Sequence, residues 1–212
     1  MPKTFIFGQG QKAFVPNYLF TRMQKVILMS SDAVRFAMWL SDLNSLPEIT
    51  VPPGYTLRTY RDGDAAAWCR IMSGQVGQWT VERFYTDVHD QPVFRPDGLF
   101  FAVHDDTPVA TACAWWIPEK YGADVGILHM VATDPAHRSR GLGRAVSLSV
   151  IRFLAAQGMR ACVLSTTSQR LAAIRLYLSL GFEPELDTPE IRALWPDILR
   201  AIGNREIAET KN

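Results

Sequence analysis

The sequence predicts an α/β protein (α+β in some classification schemes) with one main domain, and three observations support this. Short β-favouring runs alternate with segments of helical periodicity, the pattern of a sheet flanked by helices. A chain of 212 residues is long enough to bury one hydrophobic core. The composition, with 48% hydrophobic and 20% charged residues, is that of an ordinary globular protein and excludes wholesale disorder.

Three parts of the chain differ in the regularity of their patterns. The turn-forming residues Pro52-Pro53-Gly54 separate an irregular start from a region of repeated strand and helix patterns. After the last strand pattern a tail remains, in which Pro196 suits the first position of a helix that runs to Ile202. The predicted parts are an N-terminal extension at 1–53, a main domain at 54–187 and a C-terminal helical tail at 188–212.

The N-terminal extension has two interpretations, an arm packed on the main domain or a contact between two copies in a homodimer. Its short apolar runs at 5–7 and 26–29 favour strands or docking segments. The dipeptide Ser31-Asp32, placed before the apolar residues 33–40, is typical of a capped helix.

The main domain is predicted to follow the order β-α-α-β-β-β-α-β-α-β. Asp64 and Ser168 are the predicted N-caps of two of its helices, and Gly181 is expected to end the second of them. The turn at 105–108 is typical of a hairpin, so the strands on either side are expected to be antiparallel. The predicted strands lie at 55–60, 99–103, 109–117, 125–131, 161–166 and 182–186, and the helices at 64–72, 80–85, from 142 to about 157 and 168–180.

The centre of the chain joins a strand, a basic glycine-rich loop and the start of a helix. The apolar run 125–131 is closed by the turn Thr133-Asp134-Pro135, and from Leu142 the apolar residues recur at helical spacing. Three arginines and two glycines lie between the turn and the helix or in its first turn: Arg138, Arg140, Gly141, Gly143 and Arg144.

This arrangement favours an anion-binding site. The first turn of a helix has backbone N–H groups without partners, and the helix dipole makes that end positive. Glycines allow a ligand to approach the backbone closely, and arginines add charge-assisted hydrogen bonds. A P-loop fits poorly because no Lys-Ser or Lys-Thr follows the glycines, and a dinucleotide fingerprint fits poorly because Val146 occupies its third glycine position. An ordinary solvated loop stays open as the alternative.

Two motifs resemble those of the GNAT superfamily of N-acetyltransferases. Arg138-x-x-Gly141-x-Gly143 is similar to the family's R/Q-x-x-G-x-G/A signature, whose amides bind the pyrophosphate of acetyl-coenzyme A. The segment from Ala173 through Tyr177 to Gly181-Phe182 is similar to its A-x-x-x-Y-x-x-x-G-F pattern. The resemblance covers about residues 55–187 and implies a mixed, mostly antiparallel central sheet flanked by helices. In such a sheet the central strand is splayed from its neighbour to admit pantetheine.

The resemblance implies direct transfer of an acetyl group from acetyl-coenzyme A to a primary amine of a small molecule or peptide, in a ternary complex. Tyr177 lies where the family places a tyrosine near the sulfur, and a phenol can protonate a departing thiolate. The other interpretation of Tyr177 is an aromatic on the packed face of its helix. The residues implied in cofactor binding are Val131, Ala132, Thr133, Arg138, Ser139, Arg140, Gly141, Leu142, Gly143 and Arg144.

His129 is the candidate general base. The segment from Leu128 to Ala132 resembles the matching strand of arylalkylamine acetyltransferases, and the resemblance makes the Val131 amide an oxyanion donor. A core histidine satisfied by a neighbour is the alternative for His129, and a water relay could replace it as base. Arg170 departs from the family, which often has asparagine there, so it either reaches a cofactor phosphate or faces water.

Composition and charge restrict the partners, the cellular location and the metal sites that the sequence allows. A formal net charge of +1 disfavours nucleic acid and anionic membranes as partners, and no apolar run approaches the roughly 18 residues of a membrane span. The number of cysteines is odd, and no C-x-x-C motif occurs among Cys69, Cys113 and Cys162. This pattern predicts reduced thiols in a cytoplasmic protein. No metal site is predicted, because His89 and His104 lack partners at ligand spacing. A non-catalytic acyl-coenzyme A-binding regulatory module is the alternative function.

Overall fold

The computed structural model describes residues 33–203, which form a seven-stranded sheet with helices on it. A π-helical turn at Tyr85–His89 and two 3-10 turns at Pro96–Gly98 and Pro135–His137 complete the elements. The strands are β1 Arg35–Leu40, β2 Thr56–Thr59, β3 Leu99–His104, β4 Thr107–Trp115, β5 Val125–Thr133, β6 Ala161–Thr167 and β7 Glu183–Pro184. The helices are α1 Ala65–Met72, α2 Val81–Phe84, α3 Pro118–Tyr121, α4 Leu142–Ala156, α5 Leu171–Ser179 and α6 Pro189–Ala201.

The strand order is β2-β3-β4-β5-β6-β1-β7, and β5 with β6 is the one parallel pair among the strands described. The predicted mixed, mostly antiparallel sheet is therefore confirmed. The hairpin between β3 and β4 is also confirmed. Asp105 and Asp106 have φ of 45° and 61°, and a two-residue hairpin turn of this kind requires positive φ at both positions.

Residues 33–40 do not form the capped helix that the sequence predicted. Arg35–Leu40 is strand β1, which lies between β6 and β7 and buries Phe36, Met38 and Leu40 on one face. A short apolar segment fits either period, and pairing with two strands distant in sequence decides in favour of the strand. The compact unit that contains the sheet begins at Ala33, earlier than the boundary expected at residue 54. The apolar runs predicted at 5–7 and 26–29 lie outside the described residues.

Two predicted helix starts were wrong. The tail helix begins at Pro189 rather than Pro196, which lies inside it, and the hydroxyl of Thr188 accepts a hydrogen bond at the new start. Burial of an apolar face that includes Trp195 extends this helix past the proline. The helix expected after Ser168 begins at Leu171, because the Ser168 hydroxyl accepts from the Val34 amide instead of capping.

Strand β5 is paired with β6 over only its first three residues, Val125–Ile127. On its other side the register with β4 steps from Cys113–His129 to Thr111–Ala132, so two residues of β5 face one residue of β4. This is a β-bulge, and Met130 within it has a φ of 52°. The second half of β5 is therefore splayed from β6 and bent, and Val131 has no register partner on either side.

Helix α4 packs closely against the start of β5. A Cβ on Gly126 would lie 2.5 Å from the Cδ2 atom of Leu154, so the close approach of helix and strand requires glycine there. The predicted helix stripe is confirmed, since Val146, Val150 and Leu154 are all buried. Within residues 33–203, none of the helices has both the length and the apolar character that a membrane crossing needs.

Candidate active site

The basic loop (residues 138–144) and the first turn of α4 present free backbone amides. Within the described chain, the structure gives no hydrogen-bond acceptor to any amide from residue 139 to 144, and the first helical bond runs from Ala145 N to Gly141 O. Ser139 and Gly141 have left-handed φ values of 58° and 82°. Left-handed residues in such a loop turn neighbouring N–H groups into a concave nest that suits an anion. This arrangement fits a pyrophosphate.

The three arginines of this region are placed differently. Arg138 and Arg140 are exposed, and the Arg138 Nε atom lies 3.4 Å from the carbonyl oxygen of Thr133. Arg144 instead donates to the carbonyl oxygen and the hydroxyl of Ser179, at 3.0 and 3.1 Å. The Arg144 side chain thus ties the start of α4 to the end of α5, and only its backbone amide faces the predicted anion site.

An ion pair holds the turn that precedes the basic loop against α1. Arg70 donates to an Asp134 carboxylate oxygen at 2.6 Å and to the carbonyl oxygen of Pro108 at 2.7 Å. The other Asp134 oxygen accepts from the Ala136 amide at 3.0 Å. Sequence analysis missed Arg70, since its partner lies 64 positions further along the chain. The Asp134-Pro135 pair was a usable signal, because aspartate before proline often caps a turn.

A second contact holds the turn at 134–137, which precedes the basic loop. The Tyr55 hydroxyl and the Nδ1 atom of His137 are 2.9 Å apart, and the His104 ring lies against both. The ring of His137 is therefore engaged by the Tyr55 hydroxyl. No group of three or more potential metal ligands occurs within residues 33–203.

His129 lies on the splayed half of β5, across from Cys113 and with its ring centroid 4.4 Å from that of Trp115. Burial lowers the pKa of His129 to about 4. The imidazole is therefore neutral at neutral pH, which lets it accept a proton but makes it a weak base. Two residues further on, the Val131 amide belongs to the bulge rather than to a regular ladder.

Tyr177 is buried on α5, and burial raises the pKa of its phenol to about 12, while the charge of Arg170 acts in the opposite direction. The phenol thus keeps its proton at neutral pH. Helix α5 adjoins the basic loop and the end of β5, since a Cβ on Gly143 would lie 3.4 Å from Leu176 and 3.6 Å from Thr133. The structure therefore brings the two predicted motifs together.

Gln75, which sequence analysis did not single out, links the two sides of the splay. Its side-chain amide donates to the carbonyl oxygen of Thr133, at the end of β5, at 3.0 Å. Its own carbonyl oxygen accepts from the Arg170 guanidinium, between β6 and α5, also at 3.0 Å. The sequence left two alternatives for Arg170, contact with a cofactor phosphate or exposure to water. The Arg170 side chain is exposed, and part of its guanidinium is held by the contact with Gln75.

Trp115, the last residue of β4, and Trp116, which follows it, lie in different environments. Trp115 is buried beside His129, whereas Trp116 is 43% exposed and lines a cavity of about 270 Å³ near Phe153 and Met159. That cavity lies at the C-terminal end of α4, a helix of 15 residues and about 22 Å in length. It is therefore remote from the basic loop.

The model of the Acetyltransferase (GNAT) family matches residues 65–182. The chain belongs to the GNAT family. Mycothiol acetyltransferase of Thermomonospora curvata is 34% identical over 144 residues, which are 65% of this chain and 47% of that protein. The Rhodococcus erythropolis protein of the same name is 30% identical over 164 residues, 72% of this chain and 55% of its own length. The chain thus spans about half the length of these curated relatives.

Solved structures share the fold of this chain. A GCN5-related N-acetyltransferase from Sphaerobacter thermophilus shares the fold at a TM-score of 0.61 and 22% identity, over 78% of this chain and 53% of that one. The ribosomal-protein-S18-alanine N-acetyltransferase of Escherichia coli has a TM-score of 0.51 and 25% identity, over 61% of this chain and 77% of that one. Membership of the GNAT family implies acetyl-coenzyme A as the acyl donor.

Replacing Asp134 by alanine is expected to raise the KM for acetyl-coenzyme A about tenfold, since the basic loop loses its charge-assisted hydrogen bonds to Arg70 and to its own turn. Steady-state kinetics at saturating amine measures this. Asp124→Ala is the control, because it removes an exposed and longer ion pair with Arg160 at the start of β6. An unchanged KM in Asp134→Ala contradicts the anchoring role.

The pKa of His129 predicts a pH dependence of stability. In the unfolded chain His129 becomes protonated below about pH 6.5, whereas in the folded chain it becomes protonated only below about pH 4. The free energy of unfolding should therefore fall as pH drops through this window, and His129→Gln should lose less stability there. Urea titrations at several pH values measure both proteins. Parallel losses in the two would show that His129 is not the buried group inferred here.

Proposed function

We propose that this protein is an N-acetyltransferase that moves an acetyl group directly from acetyl-coenzyme A to a primary amine in a ternary complex. The observation that carries the proposal is the set of free amides at 139–144, which adjoins the splayed half of β5. An anion site and an opened sheet strand at one place suit a ligand with a pyrophosphate at one end and a thioester at the other.

The proposed roles of the basic loop follow from its contacts. The amides of 139–144 bind the pyrophosphate, and the exposed guanidinium groups of Arg138 and Arg140 add charge to them. Val131, Ala132 and Thr133 line the splayed end of β5 on the side of the thioester. The Val131 amide, which has no register partner, is the proposed donor to the carbonyl oxygen as negative charge develops on it.

The proposed reaction needs a proton acceptor and a proton donor. The neutral amine attacks the thioester carbonyl, the tetrahedral intermediate collapses, and the C–S bond breaks to release the thiolate of coenzyme A. Tyr177, protonated at neutral pH, donates to this sulfur. His129, neutral at the same pH, accepts the proton of the attacking amine, and its low pKa means that it passes this proton on to solvent readily.

Direct transfer is supported by the state of the cysteines. All three cysteines are free and buried. Burial raises the pKa of Cys113 and of Cys162 to about 12 and also raises that of Cys69, so each remains a thiol at neutral pH. Since a thiolate is the nucleophilic form, a cysteine-bound acetyl intermediate is disfavoured.

The acceptor is proposed as a small-molecule amine or a peptide. Relatives named mycothiol acetyltransferase make amines related to mycothiol the first small molecules to test. The solved structure named for the alanine of ribosomal protein S18 makes peptides with a free N-terminus the second class.

The proposed function is tested by measuring free thiol released from acetyl-coenzyme A with a panel of both acceptor classes. Release that requires an amine, above the hydrolysis seen without one, is the expected result, and mass spectrometry of the product should show one added acetyl group. Tight binding of acetyl-coenzyme A by calorimetry, with no thiol released by any amine, would instead indicate a regulatory module that binds acyl-coenzyme A.

Tyr177→Phe should lower kcat by roughly ten- to a thousand-fold, the scale of lost general acid catalysis, with little change in the KM for acetyl-coenzyme A. Tyr121→Phe, on the short helix α3, is the matched control and should retain the parent kcat. Equal turnover by Tyr177→Phe and the parent enzyme would exclude Tyr177 as the proton donor.

A further inference from the structure

One face of strands β6 and β1 is accessible next to the candidate site. Directly paired residues of antiparallel strands share a face, and Arg35 pairs with Thr167 while Ala37 pairs with Ser165. These four side chains are exposed or half-buried. The residues that alternate with them are buried on the opposite face: Phe36, Met38, Leu164 and Thr166.

The accessible face continues to His129. Ile127 of β5 pairs with Val163 of β6, and side chains two residues apart on a strand point the same way. His129 therefore lies on the face that carries Ser165 and Arg35. Strands β5 and β1 are separated by β6 alone, so they lie about 10 Å apart, or two strand spacings, where β5 is paired with β6 at Val125–Ile127. At His129 the splay makes this distance larger, so an acceptor must carry its amine and its anionic group at opposite ends of the molecule to reach both sides.

Two arginines meet at the end of this face. Arg35 lies opposite Thr167, and the Arg170 amide donates to the carbonyl oxygen of the same Thr167 at 3.0 Å. Partial burial and then the charge of Arg170 lower the pKa of Arg35, and Arg170 also acts on Tyr177. Between residues 33 and 203 the structure shows no ion pair to Arg35 or Arg170.

Neighbouring guanidinium groups without a carboxylate repel one another, and an anionic ligand relieves that repulsion. The hydrogen bond from Arg170 to Gln75 uses one of its terminal nitrogens, which leaves other donors of the guanidinium available. Carboxylates and phosphates are the anions that paired guanidinium groups bind best.

We propose that Arg35 and Arg170 bind a carboxylate or phosphate of the acceptor, so that the acceptor is an amine carrying an anionic group. The amine then lies toward His129, and the anionic group lies beside Thr167. This inference rests on the proposed acetyltransferase function and specifies the substrate class of that site. It assigns substrate selection to Arg35, which lies outside the family match at 65–182.

Matched acceptor pairs test the inference. Thiol release is measured with glycylglycine against glycylglycinamide for the carboxylate, and with phosphoethanolamine against ethanolamine for the phosphate. The parent enzyme should favour the anionic member of at least one pair in kcat/KM by about tenfold or more, the scale of a charge-assisted hydrogen bond. The pair that shows the preference identifies which anion the natural acceptor carries.

Arg35→Gln should lose most of this preference while keeping kcat/KM for the neutral member and the KM for acetyl-coenzyme A. Arg170→Gln should also lose most of the preference, and its KM for acetyl-coenzyme A should rise in addition because the contact with Gln75 is lost. Arg35→Lys, which retains the charge, should keep part of it. Arg160→Gln is the control, since it removes a charge that is 83% exposed just before β6, at the end of that strand opposite Thr167. It should behave as the parent.

Three outcomes overturn the inference. The parent enzyme could treat both members of each pair alike, or the variants could keep the parent preference. Arg170→Gln could instead raise the KM for acetyl-coenzyme A with no change in acceptor preference, which would assign Arg170 to a cofactor phosphate. Thiol release with none of the amines would overturn the proposed function itself, and is distinguishable from release without charge preference.

Discussion

The separation of β5 from β6 after Ile127 is the constraint on which the rest of this molecule depends. Parallel pairing lasts for three residues, and beyond them β5 bends through a bulge in which Met130 adopts a left-handed φ. A bulky residue in that conformation is costly and persists only when its surroundings hold it. Here the close packing of α4 on Gly126 holds the strand just before it diverges. The splay leaves backbone groups of β5 available to a ligand instead of to a neighbouring strand.

An opened strand is useful only if the loop that follows it is held in place, and three contacts do this. Arg70 binds Asp134, Tyr55 binds His137, and Gln75 joins Thr133 to Arg170. Single contacts of this kind near the surface contribute little, often below about 1 kcal/mol for an ion pair. Acting on one short loop from several sides, they restrict its backbone so that the amides face the site before a ligand arrives.

Burial sets the charge state of the two candidate catalytic residues, a histidine that is cationic when protonated and a tyrosine that is anionic when deprotonated. Burial disfavours the charged form of any group, so it lowers the pKa of His129 and raises that of Tyr177. Both side chains are consequently neutral at neutral pH, one ready to accept a proton and the other to donate one. The exposed arginines Arg138, Arg140 and Arg170 bring positive charge to the edges of the site, which suits the proposed reaction between two ligands that carry anionic groups.

The sequence alone was enough to predict the hairpin at Asp105-Asp106, helix α4 with its basic loop, and the two motifs that resemble those of the GNAT family. Each of these features depends on residues that lie close together in the chain. Only the tertiary structure decided that residues 35–40 form a strand, that α6 continues through Pro196, and that Arg144 turns to Ser179. In each of these cases the local pattern allowed more than one state, and a partner distant in sequence selected one. The contacts of Arg70, Gln75 and Arg35 were likewise invisible, because pairing between distant residues leaves no periodic signal in a single sequence.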